Sequence, residues 1–162
     1  MQHDSAPVEA MLWEGLFQLL PQCAAVVCVD PWADFLRTRG VRDVRVIYNA
    51  FHMTKVERAR DFDRAECRAE FGLPPDTIGV YAGKAVHWKG IERVSAALAD
   101  APELWVITSG SNTIGFDGAH FDVERERYLR LLCACDVGVF LPRMREGWSR
   151  CAAEPCCLAC PA

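Results

Sequence analysis

The chain has 162 residues, half of them hydrophobic and a quarter charged, with a net charge of −4 and a pI near 5.6. That is about one domain's worth of sequence with enough apolar content for a core, which excludes disorder, collagen and coiled coil as global descriptions. The acidic balance excludes a nucleic-acid partner held by a broad basic face. No apolar run reaches the roughly 18 residues of a membrane-spanning helix. The first ten residues carry neither a basic n-region nor a cleavage pattern, so a cytoplasmic protein is expected.

In chain order, Val8–Leu20 carries apolar residues at helical spacing and is ended by Pro21. Ala24–Val29 is a short continuous apolar run, the pattern of a strand buried on both faces. Asp30 as cap and Pro31 at the first helical position predict a helix stopped by Gly40, and Val44–Tyr48 is the next strand. Asn49–Arg60 lacks periodicity and is read as a connection. Phe62–Phe71 is a charged helix closed by Gly72, and Leu73-Pro74-Pro75-Asp76 forms a hinge-like break. Strands follow at Thr77–Tyr81, Leu104–Thr108 and Val137–Leu141. Helices are expected at Ile91–Leu98, at Val123–Cys133 and from about Ser149. The alternation predicts an α/β fold, with Rossmann-like parallel sheets and flanking helices, whose ligands sit at the carboxyl ends of the strands.

Two loops carry the candidate chemistry. After the strand ending at Tyr81 comes Gly83-Lys84-Ala85-Val86-His87-Trp88-Lys89-Gly90, holding two of the chain's three lysines, each beside a glycine. Glycine lets a ligand approach the backbone, ammonium groups stabilise phosphate charge, and a helix N-terminus follows. The same residues also suit a solvated turn, and His87 alone reads as a surface or hydrogen-bonded histidine. The second loop, Pro142–Arg150, places Glu146 where a strand gives way to the active-site edge, with Glu154 on a small, apolar helix. A carboxylate there needs a partner. Either a ligand's vicinal hydroxyls supply it, or Arg150 pairs with it at i, i+4.

Six of the nine cysteines crowd the C-terminal thirty residues. Cys133, Cys135, Cys157 and Cys160 admit a zinc–thiolate reading; the alternative is a set of small buried hydrophobes.

The order VIYN, charged helix, GLPPD, strand ending in Gly83-Lys84, Lys89-Gly90, and Pro142-x-x-x-Glu146-Gly147 with Glu154 after seven intervening residues resembles the family-4 retaining glycosyltransferases of the GT-B fold. The resemblance runs from about Ala24 to Ala162. It implies transfer of a sugar from a nucleotide-diphosphate sugar donor with retention, with neither metal nor other cofactor. Lys84, where the family usually has arginine, and Lys89 would hold the diphosphate. Glu146 would face the transferred sugar, Glu154 would bind the ribose hydroxyls, and Gly83 and Gly147 would keep the backbone close to the ligand. Glu146, Lys84 and Lys89 are thus the catalytic candidates, and the acceptor, saccharide, lipid-linked or other, is unspecified.

The resemblance also implies a partial GT-B architecture, truncated at both ends. Residues 1–72 would be the C-terminal remnant of the acceptor-side domain plus linker, and 73–162 the first part of the donor-binding domain. Uncovered strand edges would favour self-association or a partner chain. Pro155, directly after Glu154, predicts a kinked last helix or a displaced Glu154. Two further readings stand beside the transferase: a non-catalytic nucleotide or phosphosugar-binding module, and a zinc–thiolate interaction module at the C-terminal cysteines.

Overall fold

A computed structural model describes residues 6–50, 52–111, 114–116, 118–144, 147 and 149–159. The chain divides into two units, Met1–Ala50 and Phe51–Ala162.

In the first unit, α1 (Ala6–Leu19) ends in a 3-10 turn over Leu20–Gln22 that contains Pro21, which cannot continue the helix. A parallel β–α–β unit follows: β1 (Ala24–Val27), α2 (Asp30–Thr38) and β2 (Asp43–Val46), with Ala24 opposite Asp43 and Val27 opposite Val46. Asp30 is the first residue of α2 and makes no capping bond; its carboxylate accepts instead from the Tyr48 hydroxyl. Gly40, at φ +87°, gives α2 its left-handed exit. Phe17 meets Phe35 edge-on at 5.8 Å, and the Arg39 guanidinium lies 4.5 Å above the Phe17 ring. β1 was expected to be buried on both faces. It alternates between exposed and half-buried, with Val26 65% exposed. Two strands and one crossover helix cannot cover both faces of a sheet.

The second unit begins with α3 (Met53–Ala59), inside the stretch expected to be a connection. Only Val56 and Ala59 are buried on this short helix, too few apolar positions to register as a period. Next come α4 (Arg64–Glu70), β3 (Ile78–Tyr81), α5 (Ile91–Leu98), β4 (Leu104–Ser109), β5 (Ala119–Phe121), α6 (Arg125–Ala134), β6 (Val137–Gly138) and α7 (Arg150–Ala159). The strands form one parallel sheet in the order β5-β4-β3-β6. β5 was not anticipated, and β6 pairs over only the first two residues of the Val137–Leu141 run. The units part at Ala50/Phe51, and α4 packs along α6 within the second core.

Period-2 alternation sorts the strand side chains into two layers. Tyr81 and Ile107 face Phe71, Leu131 and Leu132 on the α4/α6 side, whereas Ala82 and Val106 face Ile91 and Val94 of α5. Full burial of an Ile107-sized side chain contributes roughly 1.5–3 kcal/mol. Asp63 caps α4 by accepting from the Glu66 N–H at 2.9 Å, and Gly72 (φ +66°) closes it. Among the described residues, no helix is long and apolar enough to cross a membrane.

Candidate functional site

The carboxyl ends of β3 and β4 are joined by backbone: Gly83 (φ +85°) accepts at its carbonyl from the Ser109 N–H at 3.0 Å. Directly after it, the methylene stem of Lys84 passes over Gly110, where an added Cβ would lie 3.9 Å from Cγ and Cδ of the lysine. The loop then makes a 3-10 turn over His87–Lys89 and enters α5 through Gly90 (φ +72°). A Cβ at Gly90 would sit 2.0 Å from the Leu141 carbonyl oxygen, so only glycine fits. The Arg143 N–H donates to the Trp88 carbonyl at 3.0 Å, a second tie between this loop and the segment leaving β6. His87 is exposed and hydrogen-bonded to Glu92, as the plain reading of the sequence expected. The Glu92 backbone N–H, with His87, holds that carboxyl below its ordinary range.

Beside Gly110 opens a cleft of about 290 Å³. Ser109 and Gly110 line it from β4, Arg125 and Tyr128 from α6, and Arg150, Cys151 and Glu154 from α7. Glu154 is 3% exposed, and its Oε1 lies 2.8 Å from Nη2 of Arg125. The partner is therefore Arg125, across two helices, and not the neighbouring Arg150, which is exposed. The Arg125 guanidinium also lies 5.3 Å from the Tyr128 ring centroid, and its bond to Glu154 raises its affinity for its proton. Beneath, the Tyr81 hydroxyl is 2.8 Å from Ser109 Oγ and donates to the Tyr128 hydroxyl at 3.5 Å. Burial pushes both phenols well above their ordinary value, so the cleft floor carries neutral hydroxyls. A larger cavity of about 500 Å³, lined by Leu98, Pro102, Trp105 and Ala119, lies away from Lys84 and Glu154.

Pro155 does not displace Glu154. α7 runs from Arg150 to Ala159, its first turn anchored by the Ala152 and Ala153 N–H groups donating to the Ser149 carbonyl. The proline packs toward Gly138, where an added Cβ would be 3.7 Å from its own.

Of the residues expected at the site, Glu154 lines the cleft, and Lys84 lies outside the lining with its stem over the neighbouring Gly110; the Gly83 carbonyl ties the loop to β4. Lys89 is half-buried in the 3-10 turn, outside the cleft lining, and Gly147 is half-buried in the segment before α7. Glu146 lies outside the described residues. Arg125, Tyr81 and Tyr128 were missed. Tyr81 and Ser109 end their strands with hydroxyls at the edge where ligands bind, a usable signal; Arg125 is one of three arginines opening α6, which nothing local distinguishes.

Cys133 donates to the Phe62 carbonyl at 3.7 Å and Cys135 to the Leu131 carbonyl at 3.2 Å. Burial pushes the Cys135 thiol up to about 12 and the Cys67 thiol up to about 11. Among the described residues, no group of three or more His, Cys, Asp or Glu is placed to hold a metal. The Cys157 side chain and Cys160 lie outside the described residues.

Parallel sheets with flanking helices make a mixed α/β architecture that matches a GT-B-like glycosyltransferase fold. Similar solved structures include those of HepE from Anabaena. The crystal structure in complex with UDP superposes with a TM-score of 0.66 at 17% identity, covering 83% of this chain and 42% of HepE. The structure in complex with UDP and glucose gives 0.67 at 18%, with the same coverage. The chain thus spans under half the length of the structures it resembles, and at this identity the likeness shows the fold. No protein-family model and no curated protein matches the chain.

Proposed function

We propose that the carboxyl edge of the four-stranded sheet binds a nucleotide-diphosphate sugar and serves sugar transfer of the family-4 retaining type. The observation that carries this reading is the buried Glu154 in a cleft at the carboxyl end of β4, with the Lys84 stem passing over Gly110 at its edge. The likeness to a fold solved with UDP supports it. In this reading Lys84 and Lys89 hold the diphosphate, Glu154 accepts from the ribose hydroxyls, and Glu146 faces the transferred sugar. Transfer breaks the bond between the anomeric carbon and the diphosphate oxygen and forms one to an acceptor hydroxyl, whose proton is lost. The diphosphate leaves with increased charge, which fixed cations stabilise most in the transition state without requiring a metal. Gly90, pinned against the Leu141 carbonyl, keeps the lysine loop preorganised. The exposed Met11, Leu12, Trp13 and Leu16 of α1 support self-association or a partner chain.

Calorimetric titration of the chain with UDP, GDP and ADP, with and without EDTA, tests the site. Saturable binding of one nucleotide, indifferent to EDTA, is expected; a folded chain that binds none would remove the donor-site reading. Binding without transfer of label from a nucleotide sugar to any offered acceptor would leave the non-catalytic module.

A further inference from the structure

Resting on the reading of Glu154 as the ribose acceptor, we propose that Arg125 is a positioning residue for that carboxylate, holding it aimed into the cleft. A carboxylate whose side chain is 4% exposed is costly to keep ionised unless a cation meets it. The sequence neighbour Arg150 does not form that pair. The cation comes from the first residue of α6, at 2.8 Å from Oε1, while the Arg125 side chain is itself 40% exposed and lines the same cleft. The Tyr128 ring beneath the guanidinium restricts where it can lie. Two helices far apart in sequence are thereby joined by one ion pair at the cleft wall. The pair does not exhaust the acceptor: a carboxylate has about four lone-pair sites and can serve a guanidinium and a ligand hydroxyl together. On this account Arg125 touches no phosphate and acts through Glu154 alone.

The test is a cycle on the full chain with two probes, UDP and inorganic pyrophosphate, the second lacking a ribose. Arg125→Met is expected to weaken UDP about tenfold or more and leave pyrophosphate unchanged, as is Glu154→Gln. The double variant should bind UDP no worse than Glu154→Gln alone, because both changes remove one device. Arg125→Lys, which keeps the charge, should retain most of the UDP preference.

Unchanged UDP affinity in Arg125→Met, equal losses for both probes, or losses that add in the double variant would each overturn the proposal. If Arg125→Met fails to fold by circular dichroism, Arg125→Lys carries the test, and loss of the UDP preference in that folded variant overturns it. A Glu154→Gln chain with full UDP affinity would remove the ribose reading itself and this inference with it. By contrast, loss in Glu154→Gln but not in Arg125→Met removes the inference alone.

Discussion

At the amino end of the four-stranded sheet, Asp136 and Arg68 commit their hydrogen-bonding capacity to each other and to backbone, whereas at the carboxyl end Arg125 and Glu154 line a cleft, with Lys84 over the Gly110 at its edge. Asp136 accepts from the Gly79 N–H at 2.7 Å, from Arg68 at 3.0 Å and from Arg64. Arg68, its side chain 13% exposed, also donates to the carbonyls of Pro74, Thr77 and Ala134. One guanidinium thus staples the Pro-Pro hinge, the start of β3 and the end of α6. At the opposite end the charges are held by fewer protein partners and border about 290 Å³ of open space. The same residue types build structure at one end and a site at the other, and what separates them is whether their partners are already present.

That contrast can be broken by substitution. Arg68→Ala should give the largest effect, a loss of about 3 kcal/mol in urea unfolding, because it removes a donor from three part-buried carbonyls and one of the two guanidiniums on Asp136. Nucleotide affinity, measured where the variant remains folded, should not change; a parallel loss would mean the two ends are not independent. Lys84→Ala with Lys89→Ala should do the reverse. Two lost charge-assisted contacts correspond to roughly 100-fold weaker diphosphate binding, with stability held within about 0.5 kcal/mol. Unchanged affinity would return the Gly83–Gly90 loop to the status of a solvated turn.

The sequence announced some elements of this architecture well and others poorly. Helices with a clear apolar period and a glycine stop, such as α4 before Gly72 and α5 after Gly90, were legible with bounds close to those observed. α3 and β5 were not, since α3 buries only Val56 and Ala59 and has no glycine to mark its end, and three residues give β5 no period. Lys84 and Glu154 were legible because strand ends and a carboxylate on an apolar helix are local signals. The Arg125–Glu154 and Arg68–Asp136 pairs were not, because each joins residues brought together only by tertiary packing. Local reasoning offered Arg150 on helical spacing as one of two partners for Glu154; that pair does not form because α7 turns the glutamate inward and Arg150 outward.

The smallest expected effect concerns a pair that belongs to neither class. Glu70 of α4 accepts from Nε of Arg127 at 2.8 Å and Nε of Arg130 at 2.6 Å on α6, at a site partly open to water. Arg130, then Arg127, hold its carboxyl below the ordinary value of 4.5. A carboxyl depressed in the folded state adds stability above its unfolded value, and that contribution is lost as pH falls through the folded value. Glu70→Gln should therefore cost less than about 1 kcal/mol near neutral pH, as screened surface pairs do. The gap between variant and parent should close in acid below pH 4.5 and shrink with added salt. Thermal melts across that range decide it. A gap that persists in acid would mean that Glu70 acts through packing, beside the Phe71 and Phe62 rings over which the two guanidiniums lie at 5.5 and 5.3 Å. The α4–α6 contact would then owe its stability to apolar and cation–π contact and little to charge.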